Sequence, residues 1–75
     1  MPTLKALRED ALLSQVELAD RCGVTVQTIY YWERGVTVPR LGHIRKLVEA
    51  LNKTPAEIRE AIQATAREKK DWAAA

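Results

Sequence analysis

A chain of 75 residues with a net charge of +2 bounds the answer to one small domain. A domain of this size buries only about 60–65% of the surface its unfolded chain exposes, so its stability is marginal and oligomerisation is a reasonable supplement. A single cysteine, Cys22, excludes an internal disulfide, and a single histidine, His43, excludes a Cys/His metal cluster; the missing disulfide framework fits a reducing, cytosolic setting, and no apolar run has signal-peptide or bilayer-spanning length.

Thr3 stands as an N-cap, and Leu4, Leu7, Ala11 and Leu12 recur at helical spacing, which predicts a first helix at about 3–11. Leu13 and Ser14 form a junction. Ser14 followed by Glu17 is a capping box, and Leu13 with Leu18 supplies the hydrophobic staple that goes with it. The second helix runs over about 15–22 and stops at Gly23, which takes the left-handed backbone a helix end needs. Thr25 caps a third helix at about 26–33, with Val24 and Ile29 as a second staple and Gly35 beyond its end. Val36 to Pro39 is a loop, because proline pushes the preceding residue out of helical geometry. A fourth helix at about 41–51 carries the stripe Leu41, Ile44, Leu47, Val48 and Leu51 and ends at Asn52. Thr54-Pro55-Ala56-Glu57 is a third capping box with proline at the first helical position, opening a fifth helix at about 55–70. Ile58, Ile62 and Ala66 keep helical spacing along it. No strand pattern and no internal repeat competes. The expected architecture is all-α: one five-helix domain over residues 1–70, with a short tail at 71–75.

The stretch from Ser14 to Gly35 is two short helices joined by a tight turn, the sequence form of a helix-turn-helix, whose second helix can enter the major groove of DNA. Ala19 keeps a small side chain on the side of the second helix that faces the third; alanine is also simply a good helix former, but Ala19 together with Gly23 favours the turn. Ile29 and Trp32 fall three residues apart and face the core, leaving Val26, Gln27, Thr28, Tyr30 and Tyr31 for other faces. Burying both tyrosines as well would bury most of the third helix, which a chain this small disfavours; an aromatic pair can also form a protein interface, but DNA contact is the favoured reading. Charge follows the same segment. Residues 24–46 carry +3, from Arg34, Arg40, Arg45 and Lys46 against Glu33, where residues 1–23 carry −1 and residues 47–75 balance.

From Leu4 to Ile58 the chain resembles the Xre-type helix-turn-helix family, which includes the phage repressors and Cro proteins. The matching pieces are LKALRED, LSQVELADRCGVTVQTIYYWERG, Pro39 with the fourth-helix stripe, and LNKTPAEI, in that order. The resemblance implies a compact lambda-repressor-like domain that binds DNA, usually as a dimer on a palindromic operator. It aligns base-reading positions with Val26, Gln27 and Tyr31, sets Thr28 and Tyr30 nearer the backbone, and implies an ion pair between Arg8 and Glu33. The family often carries a polar residue where Val26 stands, and it does not account for the long fifth helix and tail beyond Ile58.

The chemistry of the residues supports these roles. Gln27 can make a bidentate contact to adenine N6 and N7, and Val26 can touch a thymine methyl. Ser14 and Gln15 open the second helix, whose free amides and dipole suit a phosphate; Gln15 can donate to that phosphate or brace Gln27. Arg34 and Arg40 follow the third helix as phosphate candidates. Backbone contacts are therefore expected from Ser14, Gln15, Thr25, Thr28, Tyr30, Arg34 and Arg40, with Arg45, Lys46 and His43 as weaker candidates on what is otherwise a solvated face. Cys22 reads as a small semi-buried hydrophobe and His43 as a surface residue.

Two functions follow from this reading. The first is a sequence-specific double-stranded DNA-binding transcriptional regulator, a small repressor acting as a homodimer in the cytoplasm of a bacterium or expressed from a phage. Its dimer surfaces would lie on the fourth helix, the start of the fifth and the extension with Trp72. The second is an antitoxin or adaptor whose C-terminal helix binds a protein while the helix-turn-helix autoregulates. An enzyme is set aside: the sequence has no nucleophile–base pair, carboxylate cluster or glycine-rich phosphate loop, and little room for a pocket of about 300 Å³. No cofactor or metal is expected.

Overall fold

A computed structural model describes the backbone of residues 2–74 and the side chains of residues 2–68. Among these residues it contains five helices and no strand: α1 Leu4–Asp10, α2 Gln15–Cys22, α3 Val26–Arg34, α4 Leu41–Leu51 and α5 Pro55–Ala74. The chain is the all-α, lambda-repressor-like domain that the sequence led us to expect.

The helix starts form where the local chemistry placed them. Thr3 accepts from the Ala6 amide, and Thr25 accepts from the Thr28 amide. Ser14 with Glu17, and Thr54 with Glu57, each complete both halves of a capping box. The first four helices also share one ending, in which a left-handed residue turns the chain away from the axis. At α2 the Val24 amide reaches back to the Ala19 carbonyl, at α3 Val36 reaches Tyr31, and at α4 Lys53 reaches Val48. The left-handed residues are Gly23, Gly35 and Asn52, with φ of 70°, 74° and 53°. At Gly23 no atom lies within 4 Å of where a Cβ would stand, so glycine is required there by the dihedral alone.

The end of α1 departs from the expected pattern. Leu13 N–H bonds the Arg8 carbonyl and Leu12 N–H bonds the Glu9 carbonyl, so Leu12 is the left-handed residue, with φ of 60°. Leu12 is therefore not a core residue of the first helix; it projects into solvent at 88% exposure. The apolar spacing continues to Leu12, two residues beyond the last residue of α1, where the chain has already turned off the helix axis. Leu41 corrects the fourth-helix stripe in a similar way: it is the first residue of α4, stands at 60% exposure, and leaves Leu47 and Leu51 as that helix's buried residues with Ile44 and Val48 partly covered.

The core runs through all five helices. Ile29, Leu47 and Ile58, one from each of α3, α4 and α5, are its most completely enclosed large side chains. Leu4 and Leu7 of α1, Leu18, Ala19 and Cys22 of α2, and Trp32 of α3 pack around them. Burial pushes the Cys22 thiol pKa up, against a smaller opposing effect of Lys46, which fits a packed hydrophobe. On α5 the buried set is Ile58, Ala61, Ala64 and Thr65, with Ile62 partly covered, whereas Ala66 is exposed. Thr65 has a role not apparent from the sequence. Its hydroxyl accepts from the Leu4 amide at 3.1 Å and donates to the Ala61 carbonyl at 2.8 Å, fastening the start of α1 to α5. The fifth helix also continues to Ala74 rather than stopping near Lys70. The expected interface role of Trp72 falls outside the described side chains.

Candidate nucleic-acid interface

The third helix is sorted into two faces by its own spacing. Ile29 and Trp32 are buried at 0% and 4% exposure, and they fix the helix against the core. Val26, Gln27, Tyr30, Tyr31 and Arg34 fall on the other side, at separations of three, four and seven residues, and all are exposed. Together they line one outer face over about 12 Å of helix. Thr28 is half-buried, its hydroxyl 2.9 Å from that of Thr25 at the N-terminal end.

Several side chains on this face touch one another. Gln27 Nε2 donates to the Tyr31 hydroxyl at 2.8 Å. The rings of Tyr30 and Tyr31 lie 6.0 Å apart, tilted by 31°, and the Arg34 guanidinium sits 5.8 Å from the centre of the Tyr30 ring. The Arg34 cation is thereby carried along the helix surface at the end of the face.

The electrostatics of the face depend on a pair behind it. Arg8 of α1 donates through Nε to Glu33 Oε2 at 2.6 Å and through Nη2 to Oε1 at 3.2 Å; its Nη1 donates to the Leu13 carbonyl at 2.8 Å. Only 10% of the Arg8 side chain and 5% of the Glu33 side chain is exposed. The Glu33 carboxylate raises the Arg8 pKa above its ordinary value, through their hydrogen bond first, while burial works against the rise. Glu33 is the sole acidic residue in 24–46, so this pairing hides the segment's one negative charge. The charged side chains it presents outward are Arg34, Arg40, Arg45 and Lys46, all positive and all exposed. That is a surface suited to polyanion phosphates.

Other candidates are placed around this face. Gln15, the first residue of α2, donates through Nε2 to Glu33 Oε1 at 3.0 Å; it does not brace Gln27, which is engaged with Tyr31. The Ser14 amide donates to the Glu17 carboxylate and the Ser14 hydroxyl accepts from the Glu17 amide, which leaves the hydroxyl proton and the Gln15 and Val16 amides as donors at the start of α2. Arg40 occupies the N-cap of α4 and is exposed, with no side-chain capping bond. His43 is less of a surface residue than expected: it is half-buried, its ring 5.2 Å from that of Trp32. Two links escaped the sequence reading. The Gln27–Tyr31 bond had a signal in its four-residue spacing, whereas the Gln15–Glu33 bond joins residues 18 apart and had none.

Among the described residues no helix is long and apolar enough to cross a membrane. A family model described as helix-turn-helix matches residues 4–58 of the chain. Comparison with curated proteins and with solved structures gave no match.

Proposed function

The chain belongs to the Cro/C1-type helix-turn-helix family of DNA-binding regulators, and from that premise we propose that it is a small transcriptional repressor that binds a palindromic operator as a homodimer. In this reading α3 lies in the major groove, with Val26, Gln27 and Tyr31 toward base edges. Ser14, Gln15, Thr25, Thr28, Tyr30, Arg34 and Arg40 lie toward the sugar–phosphate backbone. The observation that carries the proposal is the outward face of α3: exposed polar and aromatic side chains flanked by cations, with Glu33 neutralised behind it.

A dimer follows from energetics. Each well-made base contact contributes about 1–3 kcal/mol of discrimination, so one short helix reads too little sequence for selective control. Two copies on half-sites about 34–36 Å apart would double that reading. A domain of 34 × 24 × 23 Å has the dimensions to occupy adjacent turns of one DNA face. In this reading the protein acts in the cytoplasm of a bacterium or a phage-infected cell. Catalysis has no part in this function.

Gln27→Ala tests the proposal. Loss confined to the operator, with binding to random duplex unchanged, supports base readout. Equal loss on both would show that Gln27 does not confer specificity.

The extent of α5 supports a second role, as an antitoxin or adaptor that holds a protein partner. The helix runs 16 residues past the family match. Truncation after Ile58 cannot test this, because it removes Ala61, Ala64 and Thr65 from the core. Truncation after Glu68 keeps them. A partner that co-purifies with the full chain and is lost from this shorter one supports the second role; unchanged behaviour counts against it.

A further inference from the structure

The Gln27–Tyr31 hydrogen bond joins two exposed side chains one turn apart, so no buried polar group requires it. Its effect is to orient an amide. A glutamine side chain offers two N–H donors and one carbonyl acceptor, and the direction in which it faces decides what it can recognise. Here one Nε2 hydrogen is directed to the Tyr31 hydroxyl. The remaining outward groups are Oε1 and the second N–H, an acceptor beside a donor. That pair is complementary to adenine, whose major-groove edge presents the N6 donor beside the N7 acceptor. The two uses are compatible, because adenine takes the N–H on the same side as Oε1 and the tyrosine takes the other.

We infer that Tyr31 is a positioning residue for base recognition: its hydroxyl holds the Gln27 amide where Oε1 and the second N–H can meet an adenine edge together. The inference rests on the proposal that α3 reads DNA. Tyr31 is held in turn, its ring tilted against Tyr30, which lies beneath Arg34. Holding Gln27 in this position before it meets the groove reduces the entropy lost on binding.

The test uses the full chain and a duplex that it selects from a randomised library. Wild type, Tyr31→Phe, Gln27→Ala and the double variant are titrated against four duplexes: the selected one, a random one, and two carrying guanine or 7-deazaadenine at the adenine whose replacement Gln27→Ala no longer senses. Tyr31→Phe keeps the ring and its packing, so its thermal midpoint should match wild type. We expect it to lose about three- to tenfold on the selected duplex, the effect of one neutral hydrogen bond. Its adenine-over-guanine preference and its sensitivity to 7-deazaadenine should both fall, with random-duplex binding unchanged. In the double variant Tyr31→Phe should add little to the Gln27→Ala loss. Independent, additive losses would overturn the inference and leave DNA reading intact, as would an unchanged base preference in Tyr31→Phe. A wild-type chain that selects no duplex would overturn both.

Discussion

Replacing Arg8 by methionine should be among the most damaging single changes in this domain. The substitution keeps an unbranched side chain of similar reach but removes all three Arg8 donors. Glu33, with a side chain only 5% exposed, then keeps its Gln15 bond and loses both bonds from Arg8, and the Leu13 carbonyl loses the Arg8 Nη1 donor. Removing one partner of a buried pair costs about 3–5 kcal/mol, because the surviving charge stays desolvated. A 75-residue domain has about 4–11 kcal/mol in total at about 0.05–0.15 kcal/mol per residue, so the variant should be close to unfolded at room temperature or have lost about half its margin. For a domain of this size each kcal/mol shifts the midpoint by about 4–8 °C, which predicts a fall of at least about 12 °C. Helical circular dichroism during heating and urea titration provides the assay. The double variant Arg8→Met, Glu33→Leu should recover most of the loss, since an apolar pair of similar volume is often neutral in place of a buried ion pair. A single variant within about 1 kcal/mol of wild type, or a double variant no better than the single, would refute the reasoning.

Further outcomes follow from the helix ends and the charged surface. Leu12→Gly should raise stability by about 0.5–1 kcal/mol, because relief of a left-handed leucine outweighs the greater unfolded entropy of glycine, and the side chain is solvent-exposed; a lowered thermal midpoint would contradict this. Glu17 is held below its ordinary pKa by the Ser14 amide first, then by the Ser14 side chain, so its contribution to stability is complete above about pH 4.5 and is lost as pH falls through the lower folded value. The midpoint gap between wild type and Glu17→Ala should therefore narrow between about pH 5 and pH 3, and a constant gap would be inconsistent with the cap. Arg40→Ala should weaken operator and random duplex alike and reduce the slope of log affinity against log salt by about 1, whereas operator-only loss would assign Arg40 to base reading.

What could be read from the sequence was local. Capping boxes, staples and the glycine stops are each set by residues within one helical turn, so Ser14, Thr25, Thr54 and Gly23 located their helix ends before any tertiary contact was known. The Arg8–Glu33 pair was reached through family resemblance, because 25 residues separate its members and no spacing rule connects them. Thr65 shows the limit most clearly. A threonine inside a helix has no sequence feature announcing that it will accept from an amide 61 residues away. Leu12 and Leu41 failed for the opposite reason: both extend an apolar stripe by one step, and only the chain's path at each helix end turns them outward. In the candidate interface the exposed residues of α3 were legible by subtraction from Ile29 and Trp32. Their mutual contacts, and the masking of Glu33, required the packed structure.

The central claim, that the outer face of α3 reads DNA, is tested most directly by selecting bound sites from randomised duplexes with the full chain. The account predicts enrichment of two inverted half-sites spaced by about 10–10.5 base pairs, each losing sequence preference at a defined position in Gln27→Ala. Recovery of duplexes with no shared sequence, or no retained duplex even at low salt, would contradict it.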